Sequence, residues 1–218
     1  MFIVIEGMDN SGKTTLINYL KKSLLNNPLI FEKFSKIHFT SEPYGPEEFK
    51  EKFSELSSPI FSNSYSLSPV TESLLFLAIR AEHLRKFIKP KLEENSLLIC
   101  DRYFLSTLAY QSHLKGVSCE WLSSNMKFIS EGFSPNLVFI VNVSEEDWKT
   151  FTNNKRIKKQ LNKLDCLSSS YRELSEAYKW ASEKLIELGE NVINIPSTFS
   201  LEEKAQFIIN KIVEINKG

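Results

Sequence analysis

Residues 2–15 read Phe2-Ile3-Val4-Ile5-Glu6-Gly7-Met8-Asp9-Asn10-Ser11-Gly12-Lys13-Thr14-Thr15. The first four are apolar and mostly β-branched, the composition of a strand buried on both faces of a parallel sheet. They run straight into Gly7–Thr14, which fits G-x-x-x-x-G-K-[ST] without adjustment. Behind the loop, Lys13–Leu25 carries Leu16, Ile17, Leu20 and Leu24 at helical spacing. Strand, glycine loop and helix in that order make a phosphate-binding loop. The glycines let backbone N–H groups turn inward around a phosphate. The helix adds its free N-terminal N–H groups and the positive end of its dipole. Lys13 can reach the β- and γ-phosphates, and the Thr14 hydroxyl can ligate Mg²⁺. Gly7, Met8, Asp9, Asn10, Ser11, Gly12, Lys13, Thr14 and Thr15 are therefore the expected nucleoside triphosphate site. The loop alone does not separate kinases, GTPases and motor ATPases.

Outward from this loop, strand patterns alternate with helical ones. Strands are expected at Ser35–Thr40, Ser96–Cys100, Leu137–Val143 and Val192–Ile195. Helices are expected at Glu47–Leu56, Val70–Leu92, Leu105–Gln111, Glu120–Glu131, Glu145–Phe151, Ser170–Leu188 and Leu201–Ile215. Pro43-Tyr44-Gly45-Pro46 breaks the second strand, and the Ser-rich stretch Ser57–Ser68 reads as irregular. Ser200 is the expected N-cap of the last helix, with Lys204 standing in place of a capping-box Glu. This alternation implies an α/β fold: a parallel five-stranded sheet with helices on both faces, in three layers. With 218 residues, no internal repeat and no dividing linker, one domain is expected.

Bulk properties exclude more than they assign. Lys plus Arg equals Asp plus Glu at 27 each, so no global field draws the chain to nucleic acid or a membrane. No apolar run is long enough for a span; Met1–Glu6 is too short. Cys100, Cys119 and Cys166 are widely spaced and lack a CxxC or Cys/His cluster. Free thiols in a reducing compartment, hence a cytoplasmic protein, are expected.

Two further clusters suggest chemistry. Phe76 and Arg80 lie four apart on one expected helix and share a face. A ring that stacks and a planar guanidinium that donates make a kit for a nucleobase. Asp101 and Arg102 follow a buried strand, and sites in open parallel sheets lie beyond the carboxyl ends of strands. Asp101 is placed for Mg²⁺ or its waters, and Arg102 for an anionic phosphate. Asp9 sits oddly beside a triphosphate, since like charges repel, and a sugar hydroxyl or metal-bound water suits it better. The cationic stretch Lys155, Arg156, Lys158, Lys159 and Lys163 reads as a lid over about 153–166, with Arg156 the best candidate for a catalytic arginine.

The stretch 2–15 resembles the opening of thymidylate kinases, "I-x-x-E-G-x-D-G-x-G-K-[ST]-T". Glu42-Pro43 resembles their "R-E-P-G-G" loop. Leu74–His83 resembles "L-L-F-x-A-D-R-A-Q-H", and Asp101–Gln111 matches "D-R-Y-x-x-S-x-x-A-Y-Q" at every fixed position. The resemblance implies a P-loop kinase fold and ATP-dependent phosphorylation of dTMP, with ATP and Mg²⁺ as cofactors and a homodimer as the assembly. It implies that Phe76 stacks on thymine, that Arg80 bonds O4, and that Asp9 meets the acceptor's 3′-hydroxyl. It packs Tyr110 under the deoxyribose and adds Glu42, Ser106, Thr107, Gln111 and Tyr178 to the acceptor site. Lys13, Asp9, Asp101, Arg102 and Arg156 form the implied catalytic set. Ser41 stands where the family's loop has Arg, Asn10 replaces a frequent Gly or Arg, Ile79 replaces a polar residue, and Asp165 is followed by Cys166 where "D-R" is usual. These departures imply a divergent member, with dUMP a possible acceptor alongside dTMP. A deoxynucleoside kinase is the first rival, with Glu42 as its base; Tyr103 after Arg102 argues against it. A GTP switch lacks its N-K-x-D motif, since Asn154-Lys155-Arg156-Ile157 fails at the last position. A catalytically dead nucleotide binder is the third, and the intact Lys13 and Asp101 speak against it.

Overall fold

The computed structural model describes residues 1–46, 50–58, 67–153 and 170–215. Its strands are β1 (Phe2–Glu6), β2 (Lys36–Ser41), β3 (Ser96–Asp101), β4 (Leu137–Val141) and β5 (Val192–Ile195). They form one parallel sheet in the order β2-β3-β1-β4-β5. β1 is central: Val4 is level with Cys100 of β3 on one side and Val138 of β4 on the other. All five of its residues are fully buried, which is why it reads as an unbroken apolar run until Glu6. The pleat sends Phe2 and Val4 into one core and Ile3 and Ile5 into the other.

The α-helices among the described residues are α1 (Lys13–Leu24), α2 (Pro28–Phe31), α3 (Lys50–Ser57), α4 (Pro69–His83), α5 (Lys89–Glu93), α6 (Phe104–Thr107), α7 (Cys119–Ser130), α8 (Glu145–Asn153), α9 (Tyr171–Glu187) and α10 (Leu201–Ile215); a π-helical segment, Leu108–Leu114, continues α6 and carries Tyr110 and Gln111. α1 and α10 cover the Ile3/Ile5 face through Leu16, Leu20, Leu24, Ile208 and Ile212. α4, α6, α7 and α9 cover the Phe2/Val4 face, giving three layers. No described helix is long and apolar enough to cross a membrane.

Four local expectations are corrected, the first being the helix Leu105–Gln111, which starts at Phe104 as α6 and turns π-helical over Leu108–Leu114. The expected helix Val70–Leu92 is not uniform: α4 passes into a π-helical turn, Leu84–Ile88, before α5. The wide turn brings Lys89 N–H to the Leu84 carbonyl, and Pro90, with no N–H to give, falls in the first turn of α5. The capping box of α10 is complete: Glu203, not Lys204, is its third residue. Glu203 N donates to Ser200 Oγ at 3.3 Å and Ser200 N to a Glu203 carboxylate oxygen at 2.7 Å. α2 is an addition to the expected elements, although Asn27 before Pro28 is a cap-and-proline start signal.

The carboxyl ends of β1, β2 and β3 deliver Gly7, Glu42 and Arg102 to one edge of the sheet. Residues 47–49, 59–66 and 154–169 lie outside the described residues, and with them Arg156, Cys166 and nearly all of the expected lid.

Candidate active site

The P-loop follows β1 through a constrained turn. Gly7 has φ +150, and a Cβ there would come within 2.8 Å of both Ser11 Oγ and the Val141 carbonyl. Glycine is therefore required by space as well as by conformation. Asn10 (φ 64) and Gly12 (φ 86) are left-handed, a region Asn tolerates better than most residues. Asn10 Nδ2 donates to Thr152 Oγ1 at 3.2 Å, and the Trp148 indole N–H donates to the Asp9 carbonyl at 2.9 Å. Helix α8 thus holds the outward-facing carbonyl of the loop. Lys13 Nζ donates to the Gly7 and Met8 carbonyls at 2.7 and 3.2 Å. Burial, aided by the Arg102 charge, lowers its pKa to about 8. Thr14 and Thr15 are exposed at the start of α1. A groove of about 660 Å³ runs from Met8 past Asn142 and Val143 to Pro196 and Thr198.

Asp9 turns its carboxylate away from this cradle. Oδ1 accepts a short bond from Arg102 Nη2, and Oδ2 accepts from the Tyr110 hydroxyl at 2.8 Å. Burial pushes its pKa up, but the Arg102 and Lys13 charges outweigh that and hold it below the usual range. Arg102 Nη1 donates to Ser106 Oγ at 2.9 Å and to the Tyr178 hydroxyl at 2.7 Å. Its backbone is left-handed at φ 68, a conformation an arginine adopts only when its surroundings enforce it. Beneath it lies Glu6, fully buried, accepting from Tyr103 N at 2.7 Å, Ser106 N at 3.2 Å and Ser106 Oγ at 2.6 Å. Burial raises the Glu6 pKa against the pull of Arg102 and these donors.

Arg80 sits one layer deeper. Its side chain is 1% exposed, against 20% for Arg102. Nε donates to Glu42 Oε2 at 2.8 Å, and Nη2 donates to the Tyr103 carbonyl and Thr107 Oγ1, both at 3.0 Å. Nη1 is buried with no hydrogen-bond partner among the described residues. Glu42 also contacts His83 Nδ1 at 3.3 Å, and His83 Nε2 meets Thr40 Oγ1 at 2.7 Å. Burial would raise the Glu42 pKa, but Arg80 and His83 hold it below the usual range. Phe76 lies half-buried one turn before Arg80, and Gln111 is buried next to Tyr110.

The structure thus brings Asp9, Arg102, Ser106, Tyr110 and Tyr178 into one hydrogen-bonded network, and Glu42, Arg80 and Thr107 into a second. Sequence reasoning misses several participants. Glu6 is legible as a charge ending an apolar strand, and His83 as a histidine one turn after Arg80. Trp148, Thr152 and Thr40 carry no local signal. Tyr44 reads only as part of a chain break, yet burial raises its hydroxyl pKa, with the Arg102 charge opposing and the Asp9 charge adding to the shift. The donor set fits the expected cofactors. Asp101 Oδ1 is buried without a partner among the described residues, at the strand end beside Lys13. No group of three His, Cys, Asp or Glu among the described residues could hold a metal ion on its own.

A family model described as thymidylate kinase matches residues 5–203. The chain belongs to the thymidylate kinase family. A thymidylate kinase from Mesoplasma florum is 36% identical over 97% of this chain and 96% of its own length. One from Prochlorococcus marinus (strain NATL2A) is 34% identical over 88% of this chain and 92% of its own. The crystal structure of a thymidylate kinase from Ehrlichia chaffeensis superposes with a TM-score of 0.70 over 97% of each chain, at 24% identity, which speaks to the fold. In this family member, the matched span takes in the P-loop, both arginine networks and Tyr178.

Proposed function

We propose that the chain transfers the γ-phosphoryl group of ATP to the 5′-phosphate of dTMP, giving ADP and dTDP. The observation that carries this reading is the bond between Arg102 and Asp9. It ties the strongest anion-binding side chain of the β3 end to a residue of the P-loop itself. An acceptor phosphate on Arg102 therefore stands beside the donor phosphates on Lys13.

The acceptor oxygen in this reaction is already anionic, so no strong general base is needed. The carboxylates agree. Glu42, the base a deoxynucleoside kinase would need, is occupied by Arg80 and His83, and Asp9 by Arg102 and Tyr110. Rate then comes from positioning and from fixed positive charge around the moving phosphoryl group. Lys13 holds the β- and γ-phosphates, and the Gly7–Gly12 backbone orients them. Arg102, steered by Ser106, Tyr178 and Asp9, orients the acceptor phosphate. Tyr110 and Asp9 take the sugar. Phe76 stacks on the base, while Nη1 of Arg80 donates to its O4. The groove toward Pro196 and Thr198 gives room for the donor nucleoside. Thr14 and Asp101 would hold Mg²⁺ and its waters, and the ion supplies charge neutralisation across the phosphates. Residues around 153–166 act as a lid on the same single domain, with Arg156 as its catalytic cation.

Thymine and uracil share the 4-oxo acceptor that Arg80 reads, so dUMP is a slower second acceptor. The free thiols Cys100 and Cys119 fit a cytoplasmic protein. Val70 and Leu74 on α4 are 52% and 49% exposed, Phe128 on the adjoining α7 is 82% exposed, and we infer a homodimer through these two helices. A coupled ADP-release assay across dTMP, dUMP, dCMP, dGMP and thymidine tests the reaction. Turnover is expected with dTMP, less with dUMP, and none with thymidine. No turnover with any monophosphate would sink the reading.

A further inference from the structure

A cavity of about 280 Å³ lies behind the acceptor site, between α7, the end of α9 and the start of β4. Its walls are largely apolar, with Val4, Leu105, Met126, Phe133, Val138 and Leu185 prominent. Glu6, three serines and the stem of the exposed Lys127 also line it, and two polar atoms among its lining residues stand apart from these. The Tyr103 hydroxyl and Glu190 Oε2 are both buried without a hydrogen-bond partner among the described residues, and Tyr103 is only 3% exposed. The other Glu190 oxygen accepts from Ser134 Oγ at 2.7 Å, so the carboxylate is held in place with one oxygen unused. Buried polar atoms are normally satisfied, and an unsatisfied one is costly. Two of them on one apolar cavity match a ligand with an apolar body and a polar end.

Size narrows the class. An apolar cavity of ~150 Å³ accepts benzene, and sites for drug-sized ligands begin at ~300 Å³. This one suits a single ring with a short arm and is too small for a nucleotide. Chemistry narrows it further. A carboxylate oxygen only accepts, so the polar end must donate, and an ammonium also satisfies the negative charge.

Tyr103 connects the cavity to the acceptor site. Its N–H is held by Glu6, and its carbonyl accepts from Arg80 Nη2. Its ring lies 4.9 Å from the Arg80 guanidinium carbon, and its neighbour in sequence is Arg102. We propose that the cavity binds a compact arylalkylamine, with the ammonium on Glu190 and Tyr103, and that its occupant tunes acceptor binding through Tyr103. The coupling rests on the reading of Arg80 and Arg102 given above; the binding does not.

The test uses the full chain and 2-phenylethylamine, with toluene as the apolar control. Calorimetric titration should give saturable binding of the amine in the millimolar range or tighter, and weaker binding of toluene. Glu190→Gln keeps the shape and should weaken the amine by ~10-fold, the loss expected for a charged hydrogen bond. Ser123→Leu, at the cavity wall and away from the reacting groups, should abolish binding while basal turnover stays unchanged. Saturating amine should shift the KM for dTMP severalfold in the wild type and not in Ser123→Leu. No saturable binding, or binding equal in all three proteins, overturns the site. So does a crystal grown with the amine that holds only an ordered water between Tyr103 and Glu190. Binding with an unchanged KM overturns the coupling alone. Calorimetry needs no turnover, so the cavity is tested separately from the proposed reaction, even in an inactive enzyme.

Discussion

Lys13 and Arg80 are both cations placed out of water, and their neighbours give them opposite fates. Burial of Lys13 is opposed only partly by nearby acids, so its pKa falls from 10.5 to about 8. Burial of Arg80 is outweighed by Glu42, and its pKa rises. The first is a cation kept ready for incoming phosphates; the second is locked in a pair. Above pH 8 the free protein loses the Lys13 charge that attracts the triphosphate. The pH profile of kcat/KM for ATP should therefore be flat below about 8 and decline above it. A flat profile to well beyond that pH would contradict the assignment. Between about 8 and 10.5 the unfolded chain binds more protons at Lys13 than the folded one, so this group makes stability rise with pH across that window. Arg80→Met leaves Glu42 as a buried charge with its main partner gone. Urea unfolding should register a loss of about 3–5 kcal/mol, the usual cost of breaking a buried pair from one side. An unchanged midpoint would mean that Glu42 finds another partner.

At the scale of elements, α8 is the surprise. Its composition is that of a solvated helix, and none of its described residues is fully buried. It nevertheless holds the P-loop twice, through Trp148 on the Asp9 carbonyl and Thr152 on Asn10. An oxygen turned into the phosphate cradle would repel the nucleotide, so a donor that keeps the Asp9 carbonyl outside it is a positioning device. Asn10, a departure from the family pattern, serves the same clip and tolerates its left-handed backbone. Trp148→Phe keeps the ring and removes the donor. It should raise the KM for ATP by several-fold, about 1 kcal/mol for one hydrogen bond, with kcat for saturating ATP little changed. Equal loss in both parameters would place the residue in the transition state instead. The π-helical turn before Pro90 and the complete Ser200–Glu203 box belong to this scale too. The second is legible in Ser200-Leu201-Glu202-Glu203, one position earlier than expected. The first depends on how the chain relieves a proline, which periodicity does not reveal.

At the scale of the molecule, one sheet edge gathers Gly7, Glu42 and Arg102, while helices α4 and α7 leave Val70, Leu74 and Phe128 exposed. Phe128→Asp puts a charge in place of the most exposed of these three side chains. Sedimentation should find the wild type at about twice 25.2 kDa and the variant near 25.2 kDa. A monomeric wild type would remove the dimer. The sequence by itself determined the strand–loop–helix opening, the alternation of elements, the two-sided burial of β1 and the residue types at the site. These are properties of local spacing: period 2 and period 3.6 apolar patterns, glycines where the loop needs space, a motif contiguous in the chain. Only the tertiary structure decided which polar groups meet. Glu6 with Ser106, Arg80 with Glu42, Arg102 with Tyr178 and Trp148 with Asp9 are separated by 100, 38, 76 and 139 positions. A hydrogen bond depends on ångström placement of both partners, and that placement is fixed by how three layers pack around one sheet, not by any spacing along the chain.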